Sequence, residues 1–182
     1  IIIDTENEYQ SLAESVGGSF IKISLDSLNH INPFDVPPIP EDESPSEILK
    51  SHIVNLTSLM KLMFGEIKPE EEAVIDQAIT EAYASKNITP NKDFSGSVPP
   101  LLEDLEEIFR NIEGGRTMAD RLYRFTKGSY AGFLNKPSNI DTANRLVVFS
   151  IRDLEDELRP IAMFIILNFV WNLVRADFRK RL

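Results

Sequence analysis

Two kinds of hydrophobic pattern follow each other along the chain, and they predict different elements. At the start, the β-branched run Ile1–Ile3 ends in Asp4, which is typical of a strand buried in a parallel sheet. A short helix over about 6–15 and an alternating strand over 19–24 follow, with a glycine pair between them. This order of strand, helix and strand predicts an α/β unit.

A second buried-strand pattern lies at 145–151, and a long apolar helix is predicted from Pro160 to about Arg181. Proline suits a first helical turn, because its missing N–H would have no partner there. The apolar stretch 161–174 has fourteen residues, whereas a membrane-spanning helix needs about 20. We therefore expect no transmembrane segment in this chain. We predict instead that this apolar helix is buried against a sheet.

Between these ends, apolar residues recur at helical spacing in four segments. A proline-rich linker at about 32–40 precedes the first segment, which begins at a predicted capping box formed by Ser44 and Glu47. Prolines or glycines bound the predicted helices, which cover about 45–64, 69–84, 99–113 and 116–127. The pattern predicts an antiparallel helical hairpin followed by two further helices.

The predicted fold class is mainly α: an all-helical insertion subdomain flanked by strand–helix pieces of an α/β core. The predicted parts are 1–40, a strand–helix–strand piece with its linker; 41–137, the helical insertion; and 138–182, a strand and the long buried helix. The first strand has no preceding partner, and the last helix lacks a glycine or proline stop. We therefore expect the chain to be a piece of a larger α/β protein.

Composition excludes several classes of protein. The 182 residues carry a formal net charge of -10 and include no cysteine and two histidines. A disulfide scaffold and a thiolate zinc site are excluded, and His30 and His52 have no ligand partner at suitable spacing, so we expect each at the surface or at a boundary. The acidity argues against a surface that coats nucleic acid, because phosphate binding depends on clustered Lys and Arg. Any DNA role must be local or indirect.

The motifs of a complete nucleotide site are missing from the sequence. No Gly-x-x-x-x-Gly-Lys-Ser/Thr loop is present, and no predicted buried strand ends in Asp-Glu. We therefore expect no complete active site within these residues.

One group of residues has the chemistry of a site. Asp4, Glu6 and Glu8 follow the first predicted strand, and ligands bind at the carboxyl ends of strands in open α/β sheets. Two interpretations stay open: Glu6 and Glu8 complement a helix N-terminus as acidic residues of its first turn, or a carboxylate acts as a general base or in the second shell of a metal. The last part of the sequence also contains five arginines that could include a phosphate ligand: Arg145, Arg152, Arg159, Arg175 and Arg179. One of them could reach a phosphate across a subunit boundary, whereas most are expected to be ordinary surface charges.

The opening residues resemble the ATPases of DNA conjugation and type IV secretion, a branch of the hexameric RecA-like DNA-translocase superfamily. The family signature Asp-Pro-Glu-x-Glu-Tyr is matched at 4–9 with Thr5 in place of proline. A short helix, the glycine pair Gly17–Gly18, a strand and an Ile-Asn-Pro-Phe-Asp segment at 31–35 follow in the family's order. The later helical insertion, the strand at 146–150 and the long helix match by position and type.

The resemblance implies a fold, a mechanism and a place in a larger protein. The flanking pieces would belong to a RecA-like P-loop core, and the chain would lie between the phosphate-binding loop and the magnesium-coordinating strand. The full-length protein would bind ATP and Mg²⁺, with Asp4 and Glu6 as candidate catalytic residues near the nucleotide. This chain alone would hold no metal or cofactor and would be inactive.

The resemblance also implies partners and a location. The full-length protein would be a homohexamer that powers substrate transfer or pilus assembly, with secretion-system components as partners and DNA or protein as an indirect substrate. It would lie in the cytoplasm at the inner membrane. The alternative is an acidic, all-helical protein–protein interaction module with no ATPase activity, which the net charge of -10 and the helical middle would suit.

Overall fold

The computed structural model describes residues 1–39 and 43–178. The elements in chain order are β1 (Ile2–Asp4), α1 (Gln10–Ser15), β2 (Ser19–Lys22), α2 (Pro45–Phe64), α3 (Pro69–Ser85), α4 (Leu102–Asn111), α5 (Arg116–Thr126), α6 (Ala131–Leu134), β3 (Val147–Ser150) and α7 (Arg159–Phe178). The chain is therefore mainly α, as predicted. The division into parts at 40 and 137 stays a prediction.

The three strands form one parallel sheet in the order β1-β3-β2. The central strand β3 is buried at all four positions, which explains its continuous apolar pattern. Ile2 to Asp4 pair with Val148 to Ser150, so the opening strand finds its partner in a segment more than 140 residues away. The sheet thus joins the two ends of the described chain.

Helices α2 and α3 form the predicted helical hairpin. The capping box is present: the Glu47 amide donates to Ser44 Oγ at 3.2 Å, and the Ser44 amide donates to Glu47 Oε2 at 3.0 Å. The buried faces of the two helices belong to one hydrophobic core, which also includes residues of α4, α5, β3 and α7. The core is therefore continuous between the helical middle and the sheet.

Helix α4 begins at Leu102 rather than at the two prolines predicted to open it. Asp104 Oδ2 accepts a 2.7 Å hydrogen bond from the Leu101 amide and so caps the helix at that point. The carbonyl of Pro100 accepts instead from Asn32, at 3.0 Å. These side-chain hydrogen bonds satisfy the backbone groups at the observed start of α4.

Helix α7 begins at Arg159 with Pro160 in its first turn, as predicted. The expectation that it is buried against a sheet is confirmed only in part, because its buried face packs against α2 and contacts the sheet through Phe169, whose ring lies 6.1 Å from that of Phe149. Ile161, Ala162, Ile165 and Ile166 are buried, whereas Trp171 on the outer face is 61% exposed. A helix with partners on one side leaves its outer face open, whatever its composition. Within the described residues, no helix combines the length and the apolar character that a membrane crossing requires. The predicted helix end near Arg181 lies outside the described residues.

The linker that follows β2 is held in place by its own motif. Asn32 is 1% exposed, and its Oδ1 accepts a 3.0 Å hydrogen bond from the Phe34 amide. The Asn32 amide donates to Ser138 Oγ at 2.7 Å. Phe34 is fully buried, and its carbonyl accepts a 2.9 Å hydrogen bond from the Tyr83 hydroxyl. The segment thus connects α3, the loop before α4 and the loop before β3.

The expectation that both histidines lie at the surface or at a boundary is wrong. His30 and His52 are each only 8% exposed. His52 lies on the buried face of α2, with its ring 5.9 Å from that of Tyr83. The backbone of His30 exchanges two hydrogen bonds with Asn139, at 2.7 and 3.1 Å. Both histidines therefore have contacts with residues that are distant in sequence.

Candidate functional site at the carboxyl end of the sheet

The carboxyl ends of the three parallel strands meet at one edge of the sheet. Asp4, Lys22 and Ser150 are the last residues of β1, β2 and β3, and the register pairs Ser150 with both of the others. Backbone hydrogen bonds continue past the strand ends, since the Ile151 amide donates to the Asp4 carbonyl at 3.1 Å. This is the edge where open α/β sheets bind ligands.

The carboxylate of Asp4 organises the loop that follows β1. Its Oδ1 accepts backbone hydrogen bonds from Glu6, Asn7 and Glu8 at 3.1, 2.8 and 3.2 Å. Its Oδ2 accepts from the Tyr9 amide at 3.0 Å. Asp4 is 3% exposed, so these four donors replace the water that a carboxylate normally binds.

The electrostatics of Asp4 follow from these contacts. Burial opposes its charge, but the hydrogen bonds from the amides of Tyr9, Glu8, Glu6 and Asn7 outweigh that effect and hold the pKa of Asp4 below its usual value. Asp4 is therefore an anion at neutral pH, and both of its oxygens are engaged by the backbone. Its observed contacts are those of a residue that positions the 5–9 loop.

The same contacts explain where α1 begins. The helix was expected from about residue 6, but it begins at Gln10 and has no acidic residue in its first turn. The amides of 6–9 bond to the Asp4 side chain and not to preceding carbonyls, so these residues form a turn. The interpretation of Glu6 and Glu8 as residues in the first turn of a helix is wrong.

A second anchor holds the 5–9 loop from the central strand. Ser150 Oγ donates a 2.6 Å hydrogen bond to Asn7 Oδ1. Asn7 has a φ of +66°, a left-handed conformation that asparagine tolerates better than most residues. The sequence motif did not single out Asn7 or Ser150, because the contact between them spans 143 positions.

Because both oxygens of Asp4 accept backbone hydrogen bonds, the remaining carboxylates of the 5–9 loop are those of Glu6 and Glu8. Glu6 and Glu8 are exposed. Across the described ranges 1–39 and 43–178, no side chain forms a hydrogen bond or ion pair with the Glu6 carboxylate. Arg152 Nη1 donates to the Glu6 carbonyl at 3.4 Å, which ties this loop to the segment after β3. The assignment of Asp4 and Glu6 as catalytic residues stays a prediction.

The candidate arginines have different surroundings. The guanidinium of Arg159 donates to the carbonyls of Leu154 and Arg152, at 3.1 and 3.0 Å, and thereby folds the loop after β3. Arg175 forms a 2.6 Å ion pair with Glu43. Arg145 is exposed, and Arg179 lies outside the described residues. Arg159 and Arg175 thus have structural partners within the chain.

The helical middle contacts the loop that follows β3. Arg124 of α5 forms a 2.7 Å ion pair with Glu157, and the Tyr130 hydroxyl donates to the same carboxylate at 3.1 Å. The Arg124 guanidinium also lies 4.8 Å from the centre of the Tyr130 ring. Lys22 and Asp153 form a further ion pair at this edge. The sequence analysis did not identify these contacts, because the partners lie far apart along the chain.

Binding of ATP and Mg²⁺ requires a loop that holds the phosphates and oxygen ligands for the metal. In the part of the chain that the structure describes, no three His, Cys, Asp or Glu side chains converge to hold a metal ion. The sequence also has no loop of the phosphate-binding type. The expectation that the chain alone holds no metal or cofactor stays a prediction.

Comparison with solved structures relates this architecture to a known protein. The chain superimposes on the structure of VirB4 of Thermoanaerobacter pseudethanolicus with a TM-score of 0.84 and 26% sequence identity, over 97% of this chain. The predicted resemblance to the type IV secretion ATPases is confirmed. The chain spans about half of that VirB4 chain, 48% of its length. No family model and no curated protein sequence matches the chain.

Proposed function

We propose that this chain is the central part of an ATP-hydrolysing motor of a type IV secretion or DNA conjugation system. The similarity to VirB4 over 97% of the chain carries the proposal. In it, the parallel sheet with α1 and α7 belongs to a RecA-like P-loop core, and α2 to α6 belong to its helical insertion. The same similarity favours a motor over an isolated interaction module, because it includes the sheet as well as the helices.

Within this motor, Asp4 and Glu6 have separate roles. Asp4 positions the 5–9 loop through four backbone hydrogen bonds. These bonds stabilise its charged form and so make it a weaker base than a solvent-exposed carboxylate. Glu6 is exposed at the same edge, and an exposed carboxylate at a strand end can orient a water molecule and accept its proton. We therefore assign the role of general base to Glu6 and a positioning role to Asp4.

ATP and Mg²⁺ are the cofactors of the full-length protein in this proposal: hydrolysis of ATP would supply the energy, and Mg²⁺ would neutralise charge on the phosphates. The partners are further copies of the same ATPase in a homohexamer and other components of the secretion machine. The motor works at the cytoplasmic face of the inner membrane and acts on its DNA or protein cargo indirectly. The acidity of the chain supports the indirect role, because a net charge of -10 disfavours a broad nucleic-acid surface.

Substitution of Glu6 in the full-length ATPase tests the assignment of the general base. Glu6→Gln keeps the size of the side chain and removes its basicity, so we expect ATP turnover to fall about a hundredfold, the lower range for losing a general base. Nucleotide affinity should change little. Glu8→Gln is the matched control, because Glu8 is exposed on the same loop. Unchanged turnover in Glu6→Gln, or an equal loss in Glu8→Gln, would contradict the assignment.

A second experiment addresses the chain alone. These residues lack a phosphate-binding loop, so we expect neither ATP hydrolysis nor a shift of the melting temperature when ATP and Mg²⁺ are added. The full-length ATPase under the same conditions is the positive control. Nucleotide-dependent stabilisation of the 182-residue chain would show that it contains a nucleotide site of its own.

A further inference from the structure

A hydroxyl group of the central strand contacts the loop that carries Glu6. Ser150 is the last residue of β3 and is 1% exposed. Its Oγ donates a 2.6 Å hydrogen bond to Asn7 Oδ1, and Asn7 is the next residue after Glu6. Because Ser150 is buried, water has little access to its hydroxyl, and Asn7 supplies the partner that a buried hydroxyl needs. The contact therefore connects the buried centre of the sheet to its exposed edge.

The backbone of Asn7 has an uncommon conformation that this contact supports. Its φ of +66° lies in the left-handed region, which disfavours residues with a side chain, although asparagine tolerates it. The Asn7 amide also donates to Asp4 Oδ1 at 2.8 Å. Asn7 is thus held at its amide from β1 and at its side chain from β3. A change of φ at Asn7 would rotate the preceding residue, Glu6, relative to the sheet.

The carboxylate of Glu6 depends on this backbone for its position. Glu6 is exposed, and no side chain of the described residues holds its carboxylate in place. Its amide donates to Asp4 Oδ1 at 3.1 Å, and its carbonyl accepts from Arg152 Nη1 at 3.4 Å. The contact with Arg152 is exposed and longer than an ordinary hydrogen bond, so it restrains the loop less than the short bond from Ser150 does. Asp4 and Ser150 are therefore the two main anchors of Glu6.

We propose that Ser150 and Asn7 are positioning residues, which hold Glu6 where its carboxylate orients the attacking water during ATP hydrolysis. The proposal rests on the function proposed above for Glu6. Ser150 fixes the side chain of Asn7, and Asn7 fixes the backbone that carries Glu6, so the pair acts through Glu6 and not on the reacting atoms. A general base must lie within hydrogen-bond reach of the proton that it accepts. A displacement of about 1 Å therefore lowers the rate strongly.

The competing interpretation is that this hydrogen bond only stabilises the folded chain. Both interpretations predict a lower melting temperature when the bond is removed, because a buried hydroxyl loses its partner. They differ in the turnover of the protein that remains folded. A positioning role lowers turnover as long as Glu6 is present, whereas a purely structural role leaves the turnover of the folded enzyme unchanged. Turnover measured well below the melting temperature of every variant therefore distinguishes the two interpretations.

The first test compares two substitutions of the same shape in the full-length ATPase. Ser150→Thr keeps the hydroxyl and Ser150→Val replaces it with a methyl group, so their difference isolates the hydrogen bond. We expect Ser150→Val to turn over ATP about tenfold more slowly than Ser150→Thr, a part of the contribution of a general base, with the same nucleotide affinity. Thr57→Val is the matched control, because it removes a buried hydroxyl from α2. Equal turnover of the two Ser150 variants, or an equal loss in Thr57→Val, would overturn the proposal.

The second test removes the acceptor of the hydrogen bond. Asn7→Gly accommodates the φ of +66° without steric cost and has no side chain to bond with Ser150. We expect Asn7→Gly and Ser150→Ala each to lower turnover about tenfold, and their combination to lose no more than either alone, because both remove the same contact. Additive losses would overturn the proposal. If the larger side chains do not fold at the buried position of Ser150, these smaller variants remain decisive.

The last measurement separates the positioning pair from the general base. In a protein that already carries Glu6→Gln, we expect Ser150→Ala to cause no further loss of turnover, because no base is left to position. A further tenfold loss would overturn the positioning role and leave Glu6 as the base. Unchanged turnover in Glu6→Gln alone would contradict the assignment of Glu6, and the role of the pair with it.

Discussion

Ser150 at the end of the central strand donates a 2.6 Å hydrogen bond from its hydroxyl to the side-chain carbonyl of Asn7. The two residues lie 143 positions apart, and Ser150 is 1% exposed. Together with the four backbone hydrogen bonds to Asp4, this contact holds the 5–9 loop from two neighbouring strands. The position of Glu6 at the sheet edge therefore depends on residues at both ends of the chain.

The Asp4 hydrogen bonds should contribute measurably to stability. Asp4→Asn removes the charge and one acceptor, so we expect a loss of about 2 kcal/mol in the free energy of unfolding at pH 7, measured in urea. Because the pKa of Asp4 is lowered by folding, this contribution is fully present above the unfolded pKa of about 3.9 and is lost as the pH falls through the lower folded pKa. Glu8→Gln, on the same loop, is the control and should change little. A pH-independent difference between wild type and Asp4→Asn would contradict the electrostatic explanation.

His52 should make the chain sensitive to mild acid. Its pKa in the folded state is about 4, below the unfolded value of about 6.5, so between these values the unfolded chain binds more protons. We expect its contribution to lower the free energy of unfolding progressively from about pH 6.5 to pH 4, by up to about 3 kcal/mol. His52→Gln should reduce this slope, measured by urea unfolding at pH 7 and pH 5. His30→Gln is the comparison variant and should retain most of it, and an unchanged slope in His52→Gln would contradict the prediction.

Glu106 should be important for the packing of α4 against α5. This carboxylate is 1% exposed and accepts hydrogen bonds from Arg110 at 2.7 and 3.1 Å, from Lys127 at 3.4 Å and from Thr126. Burial opposes its charge, but the hydrogen bonds with Thr126 and Arg110 outweigh burial and hold its pKa below the usual value. Its cationic partners Arg110 and Lys127 are 44% and 60% exposed, so water can solvate them when the carboxylate is removed, and the buried Thr126 hydroxyl is the group that loses its partner.

We therefore expect Glu106→Ala to lower the free energy of unfolding by about 1–3 kcal/mol, the range for leaving a buried polar group without its partner. Glu107→Ala is the matched control, because Glu107 is exposed on the same helix and should change stability by less than about 0.5 kcal/mol. Thermal unfolding followed by circular dichroism measures both. Similar melting temperatures for the two variants would show that the network contributes little.

Asn32 should stabilise the junction between the sheet and the helical middle. Its side chain accepts from Phe34 and donates to Pro100, and both bonds are buried. Asn32→Ala leaves the Pro100 carbonyl and the Phe34 amide without these partners, so we expect a loss of about 2–3 kcal/mol in the free energy of unfolding. Asn91→Ala, in the exposed loop before α4, should be neutral within about 0.5 kcal/mol. A neutral Asn32→Ala would mean that water satisfies both groups.

The pattern of the sequence was most informative where the decisive interactions are local. The capping box of Ser44 and Glu47 and the apolar spacing after it depend on residues within one helix, and α2 begins at Pro45 as predicted. The predicted start of α1 was wrong, because the amides of residues 6–9 donate hydrogen bonds to the Asp4 side chain at the end of the preceding strand. Local patterns therefore predict an element best when no distant or preceding group competes for its backbone.

The amino-acid sequence alone was enough to predict a mainly α chain, its three strand segments, the absence of a phosphate-binding loop and the resemblance to secretion ATPases, since these follow from periodicity, turn residues and short motifs. The strand order β1-β3-β2, the burial of His52, the one-sided packing of α7 and the contact between Ser150 and Asn7 required the folded structure. Each of these features joins residues far apart in the chain. These contacts form only when the whole core packs, so no short segment of the sequence contains the information needed to predict them.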